Sequence, residues 1–453
     1  MVITCWWKRI ASVSVLCLPL ATQAASADDV KSLTEAGKAA EAYALGKKHP
    51  ELLGQPGFDL FFGAAAIQAG HVAEGVLALE RYLLAAPNDG TARLLLARGY
   101  FLLGEDARAR TEFDDIAKSS PPPEVAVAVD RYLDAIRTRA SRNTPTTSAF
   151  VELGVGRDSN VNAGPAQANV FIPGFGVQPL AESSMRTASG FASAAAGVAY
   201  NHPIAPGVLL FVQGQGERRF HNDGDTHQFE VGNYNIAGGV SLLHDQGVLR
   251  AGLGYGLVTV GSRNFRRANS VSVEWQQRID DTQSLTLGGQ YARFNYGTTE
   301  SIADGISTLV DNSARDADFT GISAVYKRTW ATAWSPLLTL ALNMGDQRSR
   351  TGHDELVPRT LGASASLNLS PLPKWGVLVG YSYQQSKYHG EDFFTSPDSR
   401  RDRFHAIDLG LTYLWSRHLS FRAEAQLSRN RSNADVYAFP RNVFALKARY
   451  EFK

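Results

Sequence analysis

The C-terminal two thirds of the chain consist of stretches in which apolar and polar residues alternate one by one. In "LSFRAEAQLSRN" the odd positions 419–427 are all apolar, and the positions between them carry Ser, Arg, Glu and Gln. A period of two places these sets on opposite faces of a β-strand. The stretches "LRAGLGYGL" (249–257) and "HAIDLGLTYLW" (405–415) alternate in the same way. Such segments favour strands with two differently solvated faces.

The connections between these strands differ in length. Turns such as "DQ" and "PLPK" alternate with loops such as "NVNAGPAQANVFIPGFGVQPLAESSM". An even number of antiparallel strands with short turns at one end and long loops at the other is typical of an outer-membrane β-barrel, which leaves no strand edge unpaired. The fourteen predicted strands are 147–158, 187–202, 207–220, 227–244, 247–261, 268–280, 282–297, 316–330, 335–349, 358–371, 375–388, 401–416, 418–430 and 441–452.

Aromatic residues near predicted strand ends fit interfacial girdles. They include Trp275, Trp330, Trp375 and Trp415. At the end of the last strand, Tyr450 and Phe452 are predicted to form the C-terminal recognition signal of the barrel.

The first residues have the order of a secretory signal peptide. Lys8 and Arg9 precede the apolar run "IASVSVLCLPLA" and the small residues "TQAASA". The run is shorter than the roughly 20 residues that span a bilayer, so we assign residues 1–27 to a cleaved signal rather than to an anchor. Both cysteines, Cys5 and Cys17, lie within it, so the mature chain is expected to need no disulfide.

Charge argues against a nucleic-acid partner. The chain carries 45 Lys and Arg against 44 Asp and Glu, whereas phosphate backbones require a basic face. No cofactor and no metal is predicted. The ten histidines are scattered, and no HExxH, GxSxG or clustered carboxylate pair occurs. An enzyme is therefore not expected.

Residues 28–141 are rich in Ala and Leu and repeat with a period of 34. At that offset Gly70 matches Gly104, and Pro87 matches Pro121. A 34-residue period with a helix-ending proline is the signature of tetratricopeptide repeats, which stack helix pairs and leave a concave face for a partner. The second copy resembles the consensus more closely through Ala97, Tyr100, Ala109 and Phe113. A plain helical bundle is the alternative. The sequence thus predicts a signal (1–27), a periplasmic repeat domain (28–141) and a 14-stranded antiparallel transmembrane barrel (142–453), an α + β two-domain protein.

The stretch "GVGRDSNVNAG" (154–164) lies where the first strand ends. A dinucleotide fingerprint would need a third glycine at the position of Ser159, so that interpretation is weak. In the barrel, even positions from 152 to 158 face the lumen, and Asn160 and Asn162 favour an asparagine turn. A second stretch, "RNRSNADVYAFPRN" (429–442), joins the last two strands at the same end. Since a closed barrel pairs its first and last strands, Asp158 is predicted to lie near Arg441 as a partly shielded ion pair.

The two stretches carry a family resemblance. The leading "DSNVN", the closing "RSNADVYAFPRN…RYEF", the fourteen strands and the short repeat domain together resemble the Slam family of surface lipoprotein assembly modulators. On that resemblance the motif residues at the barrel seam are Asp158, Ser159, Asn160, Asn162, Arg431, Ser432, Asn433 and Arg441. It implies a Gram-negative outer-membrane protein that delivers particular lipoproteins, or related secreted proteins, to the cell surface. Expected partners are the client, outer-membrane lipid, periplasmic chaperones and the barrel insertion machinery.

Polysaccharide-export or solute-conducting porins with a docking domain are the alternative. A polymer channel would be expected to have more repeats and a strongly charged lumen, whereas Gly, Ser, Thr and Gln dominate the inward positions predicted here. A lumen of small polar residues offers little with which to select a client. The sequence therefore assigns client handling to the helical repeats.

Overall fold

The computed structural model describes residues 27–119, 121–140, 142–303, 306–330, 332 and 334–452. The predicted signal lies outside these residues except for Ala27. The chain divides into two compact units, residues 1–121 and 122–453. No helix among the described residues is both long enough and apolar enough to cross a membrane.

In the part of the chain that the structure describes, seven α-helices precede the barrel, and four of them form two hairpins. Each helix of the second hairpin begins 34 residues after the corresponding helix of the first. The predicted period therefore corresponds to a structural repeat. The helices are α1 (Ala27–Glu35), α2 (Ala39–Lys47), α3 (Pro56–Gln68), α4 (Val72–Ala85), α5 (Gly90–Leu103), α6 (Asp106–Lys118) and α7 (Pro123–Ala140). The hairpins are α3–α4 and α5–α6. The sequence placed α7 with the repeats, whereas the division at residue 121 groups it with the barrel.

Glycines set the spacing and the ends of these helices. A Cβ at Gly75 of α4 would lie 2.6 Å from Ile67 Cγ1 and 2.7 Å from the Gly63 carbonyl oxygen of α3. The two helices therefore approach more closely than any larger residue allows. Gly70 and Gly104, the matched glycines, follow α3 and α5 with φ of 90° and 78°. This left-handed conformation ends a helix at little cost only in glycine.

The remaining repeat residues divide between core and connections. Ala97 and Tyr100 of α5 and Ala109 and Phe113 of α6 are all buried. The two prolines lie in the links, Pro87 between α4 and α5 and Pro121 before α7. Asp89 caps α5 by accepting hydrogen bonds from the backbone N–H groups of Thr91 and Ala92.

Fourteen strands close an antiparallel barrel, as the alternating pattern predicts. Its order is β1-β18-β17-β16-β15-β14-β13-β12-β9-β8-β7-β6-β5-β4. The strands are β1 (Thr146–Asp158), β4 (Ser189–Ala205), β5 (Val208–His221), β6 (Val231–His244), β7 (Gly247–Val260), β8 (Arg263–Arg278), β9 (Gln283–Tyr296), β12 (Ala317–Thr329), β13 (Leu337–Ser349), β14 (Pro358–Leu372), β15 (Trp375–Glu391), β16 (Ser399–Leu414), β17 (Leu419–Ser432) and β18 (Phe439–Phe452).

Two of the long loops contain hairpins that the sequence did not predict. The hairpin of β2 (Asn169–Ile172) and β3 (Gly176–Pro179) lies after β1, and that of β10 (Thr298–Ala303) and β11 (Ile306–Asp311) lies after β9. The strict alternation of connection lengths was wrong at one place, because β7 and β8 are joined at the long-loop end by residues 261–262 alone. There, Gly261 adopts φ of 60° and permits the tight turn.

The outward face of the barrel carries the apolar set of each strand. Leu153 on β1, Leu253 on β7 and Leu446 on β18 are each more than 60% exposed in the isolated chain. Tyr450 and Phe452 also point outwards at the short-turn end, with ring centroids 5.0 Å apart. Such an apolar outer surface is stable only when lipid covers it.

Candidate functional site: the seam of the barrel

The first and last strands meet along an antiparallel ladder. It runs from Ala149 opposite Phe452 at the short-turn end to Asp158 opposite Val443 at the long-loop end. We call this strand pair the seam. Continuing past the ladder, the Ser159 N–H donates to the Asn442 carbonyl at 2.9 Å, and the Ser159 Oγ accepts from the Asn442 N–H at 2.8 Å. The two stretches that carry the family resemblance are therefore joined directly.

An ion pair inside the lumen closes the long-loop end of the seam. Arg441 Nε lies 3.1 and 3.0 Å from the two carboxylate oxygens of Asp158, and Arg441 Nη2 lies 2.5 Å from Oδ2. Arg219 of β5 approaches the same carboxylate at 3.9 Å. The Asp158 side chain is only 1% exposed, against 30% for Arg441. The contact is more deeply buried than the sequence suggested, and we call it the seam clamp.

The asparagines of the motif form the turn that follows the clamp. The Asn160 N–H donates to Asp158 Oδ1 at 2.9 Å, and the Asn160 side-chain amide donates to the carbonyls of Gly164 and Pro440. Asn162 Oδ1 accepts from the Thr187 N–H at 3.0 Å. The turn therefore links β1 to the start of β18 through Pro440 and to the chain that enters β4. This is the asparagine turn that the sequence predicted.

An apolar layer lies beneath the clamp. Phe191, Val443 and Ala445 form a buried cluster. A Cβ at Gly156 would lie 2.5 Å from Phe191 Cζ, so the glycine makes room for the phenyl ring. Val443 of this cluster lies opposite Asp158 in the ladder. Apolar neighbours strengthen an ion pair by lowering the local dielectric constant.

A network of charges lines the inner wall further towards the short-turn end. Glu152 on β1, whose side chain is 9% exposed, lies 3.0 Å from Arg422 Nη2 and 3.4 Å from Lys447 Nζ. Lys447 also contacts Glu424 at 3.0 Å, and Arg449 approaches Glu152 at 3.8 Å. The prediction of a lumen of small polar residues was therefore wrong at the seam. The alternation of Arg and Glu in the inward set of "LSFRAEAQLSRN" was the signal for it.

The residues of "RSN" do not join the clamp. Arg431 is exposed and, by its register with Arg403, faces outwards from β17. Ser432 Oγ accepts from the Ala434 N–H at 3.2 Å. Asn433 bridges to β16, since its Oδ1 accepts from the Arg401 N–H at 2.7 Å. These residues shape the start of the β17–β18 loop and tie it to β16, on the side of β17 away from the seam.

The described residues contain no group of three or more His, Cys, Asp or Glu side chains that could hold a metal ion. His221, which is buried, lies at the end of β5. Its ring Nδ1 lies 3.0 Å from the Thr226 carbonyl oxygen, and its backbone N–H donates to the Glu230 carboxylate. It thus has a structural role in the β5–β6 loop.

No family model and no curated protein matches this sequence. Among solved structures, the chain is similar to OmpT, an outer membrane protein of Vibrio cholerae, in a form lacking loop L8. The TM-score is 0.40 and the identity 12%, over 68% of this chain and 100% of that one. It is also similar to an anion-selective porin from Comamonas acidovorans, with TM-score 0.36 and 12% identity over 68% and 99%. A FadL homologue from Pseudomonas aeruginosa is similar with a TM-score of 0.37 and 12% identity, over 68% of this chain and 90% of that one.

Proposed function

We propose that this protein is an outer-membrane assembly factor that delivers specific lipoproteins, or related secreted proteins, to the cell surface. In this proposal the long-loop end of the barrel faces outwards and the helical unit lies in the periplasm and binds the client. The observation that carries the proposal is the seam clamp. It brings together the two motifs on which the resemblance to the Slam family depends, through Asp158, Arg441 and Asn160.

The helical unit supports the proposal with an exposed apolar face. Leu77 and Leu84 of α4 are 57% and 86% exposed and lie seven residues apart, so they share one face of the helix. A helical repeat with an apolar face is suited to hold an extended segment of another chain. The matched helix α6 carries Thr111 and Lys118 at the positions equivalent to Leu77 and Leu84, so the second hairpin lacks this apolar face.

Deletion of residues 28–121 tests the division of labour. Because α7 belongs to the barrel unit, this truncation should still yield a barrel that shifts on a gel when heated. A co-expressed lipoprotein client should then stay inaccessible to antibody and protease on intact cells. Deletion of 28–141, which also removes α7, is the comparison. Wild-type surface exposure of the client with the shorter deletion would refute client handling by the helical unit.

A point substitution gives a sharper test. Leu77→Glu/Leu84→Glu changes only exposed side chains, so the helices should fold, and surface exposure of the client should fall. Leu53→Glu is the matched control, since Leu53 is 45% exposed and precedes α3. Equal effects of the control and the double variant would contradict a specific role for the α4 face.

A porin is the second candidate function, and the charged inner wall favours it. The charges there are balanced, with Glu152 and Glu424 paired to Arg422 and Lys447. A polymer-selective channel instead needs a field of one sign. Planar-bilayer recording distinguishes the candidates. A large open conductance in the purified protein, with no client phenotype in the deletion strain, would favour the porin.

A further inference from the structure

We propose that the outer face of β15–β17 binds the phosphate groups of a phosphorylated lipid in the outer leaflet. The cation patch consists of Lys387, Arg401, Arg403, Arg429 and Arg431, all exposed. The proposal rests on the orientation given above, in which the long-loop end faces the cell exterior. It assigns to Arg431 a role other than the seam.

The patch lies directly beyond the apolar band of the wall. Along β17 the outward positions are apolar from 419 to 427, and the next two are Arg429 and Arg431. Eight residues of a tilted strand cover roughly 20 Å, close to the height of the apolar band in outer-membrane barrels. On β16 the outward residues Leu411, Leu409 and Ile407 are followed by His405 and Arg403. The cations therefore lie at the depth of lipid headgroups.

The register places cations opposite cations. Lys387 pairs with Arg401 across β15 and β16. Across β16 and β17, Arg403 pairs with Arg431, and Arg429 lies opposite His405. Like charges directly opposite each other destabilise a sheet. A wall that repeats such pairs next to one another is stabilised when an anion lies between them.

The protein itself does not supply that anion. None of the five cations has an ion-pair partner among the residues the structure describes. Outward cations on neighbouring strands are paired, as in Arg359 with Asp346 at 3.4 Å and Arg293 with Asp318 at 3.1 Å. The five cations of the patch thus differ from the paired cations of those strands.

Carboxylates in the loops above the patch are engaged with backbone groups. Asp392 accepts from the Phe394 N–H at 2.8 Å, and Asp435 accepts from the Phe171 N–H at 3.4 Å. Among the contacts of the described residues, neither carboxylate forms an ion pair with the patch, so the compensating charge comes from outside the chain.

A phosphorylated lipid matches both parts of this surface, the cations and the apolar positions below them. Four of the five cations are arginines, whose planar donor forks match phosphate oxygens in bidentate fashion. The apolar positions immediately below, such as Ile407 and Leu427, would contact acyl chains of the same molecule. A free phosphate would use the cations alone, and a lipid uses both.

Native mass spectrometry of the full-length protein in detergent tests the proposal. The probes are bisphosphorylated lipid A, the same lipid without its phosphates, and inorganic phosphate. The wild-type protein should retain the bisphosphorylated lipid at least tenfold more strongly than the dephosphorylated one. Arg403→Gln/Arg431→Gln should lower that retention about tenfold, which is the loss of about one charge-assisted contact. Arg263→Gln/Arg267→Gln on β8 removes two exposed cations from the same end and should bind as wild type.

The outcomes separate the possibilities. Removing Arg403 and Arg431 removes a like-charge pair, so the variant should fold with unchanged heat resistance in detergent. Equal binding of lipid A by this variant and the wild type would overturn the proposal, as would equal binding of the dephosphorylated lipid. Binding of inorganic phosphate with the affinity of lipid A would overturn the commitment to a lipid. Lipid binding by the wild-type protein in cells that display no client through it would instead count against the proposed function alone.

Discussion

Replacing Arg441 by glutamine should destabilise the barrel more than replacing Asp158 by asparagine. Arg441→Gln leaves a carboxylate that is 1% exposed, with the Asn160 N–H and Arg219 at 3.9 Å as its remaining partners. Breaking a buried pair in this way costs about 3–5 kcal/mol, and the second arginine places the expected loss near about 3 kcal/mol. Asp158→Asn keeps an acceptor for the Asn160 N–H and leaves Arg441 partly solvated. The expected loss is about 1–2 kcal/mol.

Urea unfolding in detergent micelles, followed by tryptophan fluorescence, measures these free energies. The double variant should resemble Asp158→Asn, so a double-mutant cycle should give a coupling equal to the loss of Arg441→Gln, about 3 kcal/mol. The matched control is the Arg293–Asp318 pair on the outer wall, with side chains 54% and 32% exposed and a coupling expected below about 1 kcal/mol. A clamp coupling no larger than that of the control would refute the reasoning.

Charge reversal tests whether the burial of Asp158 matters to the clamp beyond the attraction of two opposite charges. If only the sum of charges mattered, Asp158→Arg/Arg441→Asp would restore stability and function. An arginine at 158 cannot accept the Asn160 hydrogen bond, and Arg219 would repel it. We therefore expect no restoration. Recovery to the wild-type unfolding midpoint would show that burial of Asp158 does not govern the clamp.

Three further changes have defined outcomes. Gly75→Val should lower the melting temperature of the helical circular-dichroism signal, corresponding to about 1–3 kcal/mol, because its side chain has no space against α3; an unchanged melt would contradict the close approach. The pKa of Asp89 is lowered in the folded protein, and the hydrogen bond from Tyr82 is the largest cause. The stability that ionised Asp89 gives the helical unit is therefore present above the unfolded pKa of about 3.9 and is lost as pH falls through the lower folded pKa. Asp89→Asn should flatten this acid dependence of the melting temperature. Glu152→Gln should shift any bilayer conductance towards anions, since Arg422 and Lys447 lose a shared counter-charge, and an unchanged reversal potential would place Glu152 off the ion path.

The strands were predictable because each face of the wall meets one environment. Period-two alternation gives both the strand and the direction of its side chains, which is how the inward position of Asp158 followed from the sequence. The helical repeat was predictable for a similar reason, since Gly70 and Gly104 occupy equivalent left-handed positions.

Partners across strands were harder to infer. Arg431 faces outwards by the alternation along β17, but its position opposite another cation, Arg403 of β16, depends on the register between the two strands. The packing of Phe191, a residue of β4, into the space at Gly156 of β1 also depends on the register between strands. Neither distance in sequence nor composition reports such packing. The hairpins β2–β3 and β10–β11 escaped prediction because loop residues pair only with each other and show no alternation against a common wall.

In the described part of the barrel, each neighbouring strand pair except β1 and β18 is consecutive among the barrel strands and is joined by a connecting segment of chain. A covalent turn holds the alignment of such a pair even while its ladder opens and closes. At the seam, about 285 residues separate the partners, so alignment once lost must be found again by diffusion of the two strand ends. The clamp and the asparagine turn therefore hold the two strands in register through non-covalent contacts, where other strand pairs have a connecting turn. In such a barrel the seam is the one strand pair that can separate along its whole length and pair again without a covalent turn limiting the movement.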